Sequence, residues 1–133
     1  MLQAVSLRVQ SRILGVGQLS ALLGVGPSSS VEAGDPVSTR RTDGPRHQVT
    51  TWTRSSMTAG DALGEHLAAL RLALDGLGRA RQEDPDLVAD IVLMLEAAPL
   101  GAMVDLDVEQ VNMLAFAGCG VVVDAYETDR ESA

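Results

Sequence analysis

A chain of 133 residues and 13.9 kDa has the length of one domain, and a globule of that size buries roughly two thirds of the surface its unfolded chain exposes. With 46% hydrophobic and 21% charged residues, it is neither a disordered tail nor a collagen-like or low-complexity polymer. The net charge of −8 is divided unevenly: residues 1 to 60 carry six Arg against Glu32, Asp35 and Asp43, giving +3, while residues 61 to 133 carry Arg71, Arg79, Arg81 and Arg130 against fifteen acids, giving −11. Such a field repels nucleic acid and anionic lipid and attracts cationic partners, so neither a nucleic acid nor a membrane surface is an expected partner.

Val5, Leu7 and Val9 alternate with Ser6, Arg8 and Gln10, the period of a strand with one buried face. From Gly15 to Leu23 the apolar Val16, Leu19, Leu22 and Leu23 recur at helical spacing, and Gly24 with Gly26-Pro27 supplies the stop. Residues 28 to 47 read as a short strand near Ser30 to Ala33 and an exposed loop, with turns at Asp35-Pro36 and Asp43-Gly44-Pro45. Gln48 to Arg54, rich in Thr and Val and holding Trp52, is the next strand.

Thr58 and Asp61 form a capping signature before Leu63, Leu67, Leu70, Leu74 and Leu77, a stripe too short and too rich in glycine for a coiled-coil seam and therefore core-facing. His66, one position off that stripe, reads as a surface or boundary residue rather than a ligand. Residues 84 to 99 fit two patterns. Asp84-Pro85-Asp86 with Leu87, Ile91, Met94 and Leu95 fits a helix, and Ala89, Ile91, Leu93, Leu95 and Ala97 fit the buried face of a strand. After the loop Ala98-Pro-Leu-Gly101, the Asp107-x-x-Gln110 spacing caps a helix carrying Val108, Val111, Leu114 and Ala115 and ending at Gly118. Val121 to Tyr126 is a final strand, and residues 127 to 133 are a polar tail expected to fray.

The aromatic residues are Trp52, Phe116 and Tyr126, so the core is aliphatic and no base-stacking platform exists. Cys119, the one cysteine, lies in an apolar run without a neighbouring cation or base, which points to burial and not to nucleophilic chemistry. The first residues lack the pattern of a signal peptide, and the uncharged stretch Ile13 to Val31 is broken by glycines and Pro27, so a cytoplasmic protein is expected. Walker, nucleophile-elbow, zinc-hydrolase and Cys-x-x-Cys motifs are absent, and the alternating Asp105, Asp107 and Glu109 lack the rest of a calcium loop. No cofactor and no metal are expected.

Six short pieces in order resemble the bacterial family catalogued as domain of unknown function 4279. They are Val5-Ser-Leu-Arg-Val9, Leu22-Leu-Gly-Val-Gly-Pro27, Gly34-Asp35, Trp52, Leu63-Gly-Glu-His-Leu67 and Val123-Asp-Ala-Tyr126; within them Gly24, Pro27, Gly34, Asp35, Trp52 and Tyr126 carry the motif. Where members of that family more often have Thr after the proline, this chain has Ser28-Ser-Ser30. The resemblance implies a small bacterial or phage domain, favours the strand over residues 89 to 96, and implies no catalytic residues.

The resulting expectation is a single α+β domain over residues 1 to 133. One mixed or antiparallel sheet of about five strands carries two to three helices, in the order βαββαβαβ. The expected function is that of a non-enzymatic interaction protein, monomeric or homodimeric. Its acidic half, through Asp84, Asp86, Asp90, Asp124, Glu127 and Asp129, docks a cationic protein in the manner of an immunity or antitoxin protein meeting a basic toxin. The alternatives are a carboxylate-dependent hydrolase using Asp105, Asp107 or Asp124, and a homo-oligomeric structural protein.

Overall fold

The computed structural model describes residues 1–38, 40–41, 43–97, 101 and 103–127. The chain runs β1 (Leu2–Ser11), α1 (Val16–Leu23), β2 (Ser29–Val31), β3 (Thr50–Ser55), α2 (Leu63–Ala69), α3 (Arg71–Glu83), β4 (Val88–Ala97), α4 (Val108–Phe116) and β5 (Gly120–Glu127). One sheet has the order β2-β3-β1-β4-β5. The first three neighbouring pairs are antiparallel and β4 pairs with β5 in parallel. Strands β2, β3, β1 and β4 with their helices therefore form a split β-α-β double crossover, to which α4 and β5 are appended. This is the expected α+β class with five strands in one mixed sheet, and residues 88 to 97 are strand.

The sheet buries one face. Val5, Leu7 and Val9 of β1, Trp52 of β3 and Ala89, Ile91, Leu93 and Leu95 of β4 turn inward and meet Leu19 and Leu23 of α1 and the leucine stripe. Their alternates, among them Ser6, Arg8, Gln10, Thr51 and Thr53, lie on the open face, where Arg8 pairs with Asp90 at 3.3 Å. The five leucines are all buried, as expected of a core-facing stripe. Helices α1 and α3 cross where a side chain on Gly76 would meet the Leu23 Cα at 2.7 Å and the Leu22 carbonyl at 2.9 Å, so only glycine allows this approach.

Four helices are present instead of two to three, because the leucine run divides at Leu70. Its N–H is shared between the carbonyls of His66 and Leu67 at 3.2 and 3.1 Å, which tightens one turn and separates α2 from α3. The capping signature at Thr58 and Asp61 does not cap α2. The Thr58 hydroxyl donates to the Ser56 carbonyl, and the Asp61 carboxylate accepts the Leu2 N–H at 3.0 Å, tying the loop to β1. Helix α1 is capped from a distance, since the Glu32 carboxylate at the end of β2 accepts the Val16 N–H at 3.0 Å.

Asp84 is a second long-range tie. It is 4% exposed, and its carboxylate accepts the Ser11 hydroxyl at 2.6 Å and the Asp86 N–H at 3.1 Å, while Ser11 accepts the Leu14 N–H at 2.9 Å. This joins the end of α3 to the end of β1. Asp84, read from the sequence as a docking residue, is thus buried and held by hydrogen bonds within the fold. The loop expected at 98 to 101 lies outside the described residues except for Gly101. Glu127 ends β5, and the rest of the expected tail, including Asp129, lies outside them too.

Replacing Asp84 with alanine strands the Ser11 hydroxyl and the Asp86 N–H, and the expected loss is about 2 kcal/mol in urea unfolding. Asp86→Ala, at an exposed position two residues away, is expected to change stability by less than about 0.5 kcal/mol.

Candidate functional site

The acidic residues singled out in the sequence do not form one face. Asp86 is exposed before β4, whereas Asp124 of β5 pairs with Met94 near the other end of that strand, six residues beyond Val88 and roughly 20 Å away at the rise of a strand. Asp90 is half-buried and paired with Arg8. Asp124 and Glu127 both lie exposed on β5, three residues apart and so on opposite faces of the sheet.

Three possible centres of chemistry can be judged by geometry. Asp105 and Asp107 line an open cleft of about 510 Å³ with Asp61, Leu2, Val104 and Gln110, while Asp124 is not among its walls. Asp107 is engaged as the N-cap of α4, accepting the Gln110 N–H at 2.7 Å, and Asp61 holds Leu2. Among the described residues no three His, Cys, Asp or Glu side chains stand close enough together to hold a metal ion.

His66 is buried at 1% exposure rather than lying at the surface. Spacings of three and four both face inward on a helix, so His66 shares the buried face with Leu63, Leu67 and Leu70. Its Nε2 lies 2.8 Å from the Gly60 carbonyl, which can only accept, so Nε2 carries the proton and Nδ1 accepts the Ser56 hydroxyl at 2.6 Å. The pair closes the β3–α2 loop. Ser56 is itself buried and both ring nitrogens of His66 have partners, so the geometry is that of a satisfied core pair. Cys119 is buried as expected, and burial, with the Asp90 carboxylate nearby, pushes its thiol from 9.0 up to about 11.

The remaining candidate is the appended α4–β5 unit. Helix α4, expected from the sequence to carry Val108, Val111, Leu114 and Ala115, buries Leu114 alone of these, leaving Val108 at 76%, Val111 at 50% and the neighbouring Phe116 at 96% exposure. Its C-terminal end is held by Arg81 of α3, whose guanidinium donates to the carbonyls of Ala117 and Gly118. Gly118 has φ +68, and a Cβ there would meet that guanidinium at 2.8 Å. Between α3 and α4 runs a groove of about 710 Å³ lined by Leu74, Gly78, Met113 and Phe116.

Beyond α4, Val121 and Val123 of β5 lie beside Ile91 and Leu93 of β4 on the helix-bearing face. Ile91 and Leu93 are fully buried, whereas Val121 is 43% and Val123 55% exposed, so the helix layer stops short of the last strand. Residues 101 to 127 contain Asp105, Asp107, Glu109, Asp124 and Glu127 and no Lys or Arg. Arg71 and Arg81, which line the adjoining groove, are engaged by Asp75 and by the Ala117 and Gly118 carbonyls.

The motif residues of the family resemblance are mostly architectural. Gly24 caps α1, Pro27 leads into β2, and Gly34 and Asp35 exchange backbone hydrogen bonds with His47. Trp52 is fully buried with its indole N–H on the Ser20 hydroxyl at 3.2 Å, and only Tyr126 lies on the exposed strand β5. The chain matches no family model, and no curated protein or solved structure is significantly similar to it. Among the described residues no helix is long and apolar enough to cross a membrane.

Raising the Cys119 thiol from 9.0 to about 11 lowers its thiolate fraction at pH 8 roughly a hundredfold, and alkylation of the folded chain is expected to be slower than in urea by at least that factor. Because the unfolded thiol ionises first, the stability tied to this group is fully present below pH 9 and is lost as pH rises towards about 11. Cys119→Ala is expected to flatten that part of the stability profile in denaturant melts.

Proposed function

We propose that the protein is a non-enzymatic interaction domain that docks a cationic protein through its α4–β5 unit. The observation that supports this most is the coincidence, within residues 108 to 126, of exposed Val108, Val111, Phe116, Val121, Val123 and Tyr126 with a segment that holds acids and no cation. Exposed apolar residues concentrated on one unit are the usual property of an interaction surface, and a one-signed rim selects partners of the opposite sign. An immunity or antitoxin protein that meets a basic toxin is one biological form of this reading. It suits the small bacterial or phage domain that the motif resemblance implies, and a reducing, cytoplasmic setting suits the unpaired Cys119.

The docking surface differs from the one the sequence suggested. Asp124 and Glu127 remain in it, Asp105 and Glu109 join it, and Asp84, Asp86 and Asp90 leave it. The hydrolase alternative has less support, since Asp107 and Asp61 are already engaged by backbone N–H groups and Asp124 lies apart from their cleft.

The test is capture of a partner from the native host by the wild-type chain and by three variants. The captured protein is expected to be basic. Phe116→Ser and Asp124→Lys should each weaken its binding roughly tenfold or more, the size expected for a buried apolar anchor or an opposed charge at an interface. Asp86→Lys, an equal change of charge at the far end of β4, should leave binding within about twofold, because exposed charges at that distance are screened. A partner that is neutral or acidic, or one equally sensitive to Asp86→Lys, would overturn the reading.

A further inference from the structure

We infer that the outer edge of β5 takes up an extended segment of the partner as an added strand, and that this segment alternates apolar and cationic residues. The inference rests on the reading of α4–β5 as the docking surface and adds the binding mode and the sequence pattern it selects.

The sheet has two edges, and they differ. Strand β2 is three residues long, and short edges offer little to pair with. Strand β5 is eight residues long, bonded among the described residues to β4 on one side only, and exposed along nearly its whole length. An unpaired edge of that length presents a row of backbone N–H and C=O groups to any extended chain.

The register of β5 fixes what such a chain would meet on each face. On the helix-bearing face Val121, Val123 and Ala125 continue the rows of Ile91, Leu93 and Leu95, and the first two are left half-exposed. Apolar side chains on an added strand, about 4.8 Å away, would extend those rows and cover the two valines. On the open face Val122, Asp124 and Tyr126 continue the rows of Val92, Met94 and Glu96. A side chain added beside Asp124 meets a carboxylate on a segment with no cation, so Lys or Arg is favoured there. Apolar residues on one face and cationic residues on the other make an alternating pattern, because successive side chains of a strand point to opposite faces.

Charge also decides against a second copy as the occupant. Two β5 strands paired antiparallel with Asp124 opposite its own copy would set two carboxylates against each other on the open face with no cation on either strand, and like charges directly opposite destabilise the pairing. A heterologous cationic strand has no such conflict.

The experiment uses the full chain and synthetic peptides of about ten residues, long enough to span β5. The first alternates Val and Lys, the second has the same composition with its valines in one block, and the third is the first N-methylated at every second residue on the face that would bond β5. The alternating peptide is expected to bind saturably, to weaken with added salt, and to slow exchange of the β5 amides that point away from β4. The blocked and N-methylated peptides should each bind roughly tenfold or more weakly, and Asp124→Lys should reverse the preference towards an alternating Val–Glu peptide.

Equal binding of the blocked or N-methylated peptide would overturn strand addition. So would protection confined to the α3–α4 groove, or a dimer of the chain alone in sedimentation that protects β5. If the natural partner is still lost on Phe116→Ser or Asp124→Lys while β5 exchanges freely in its complex, strand addition fails and the docking reading stands. If the natural partner ignores both variants, the docking reading fails whatever the peptides do.

Discussion

The width of the sheet against the width of the helix layer is the constraint from which the rest follows. Strands lie about 4.8 Å apart and packed helices about 10 Å apart, so two helices side by side cover roughly four strands. Helices α1 and α3, brought close by Gly76, supply that cover for the four strands of the double crossover. A fifth strand needs a third helix of comparable size. Helix α4 has the length for it, nine residues against eight in α1, but it buries only Leu114 and so adds little cover. The change from buried Ile91 and Leu93 to half-exposed Val121 and Val123 is the direct result.

The same constraint separates the parts of the chain that hold the fold from the part available to a partner. Over the double crossover, several polar groups that enter the interior are paired, at separations from six to 73 residues. Asp84 binds Ser11, His66 binds Ser56 and Gly60, Glu32 caps α1, and Trp52 binds Ser20. Unpaired, each would cost on the order of 1–3 kcal/mol, so these pairs limit how far the core can rearrange. On the appended unit the ties are fewer. Arg81 holds the end of α4 and the β4 ladder holds one side of β5, while the other side of β5 has no neighbouring strand among the described residues.

What could be read from the sequence followed the reach of each signal. Alternation at Val5, Leu7 and Val9, the leucine spacing from Leu63 to Leu77 and the Asp107–Gln110 cap are local patterns, and each corresponds to an observed element. The long-range ties were not legible. Asp84-Pro85-Asp86 has the composition of a solvated turn, and nothing near it in sequence signals Ser11, 73 residues away. His66 reads as a surface or boundary residue when the stripe is drawn through its leucines alone, although a helix also buries the positions beside them. Periodicity in α4 identified a helix with Val108 and Val111 on it, but not whether any element exists to cover them. That depends on how many helices the sheet receives, and the sum of the pieces decides it.

Edge strands in native sheets are commonly guarded by charge, and Asp124 and Glu127 can be read as such guards. Guarding against self and admitting a partner are not competing roles for them. A carboxylate on an edge raises the energy of pairing with a like edge and lowers that of pairing with a cationic one, and the same residues produce both effects. A lysine at these positions would guard β5 equally well against its own copy. Under the proposed reading, carboxylates with no cation anywhere from residue 101 to 127 would make the guard selective for basic chains. Sign, and not only the presence of charge, is therefore what distinguishes a protected edge from one that also recognises.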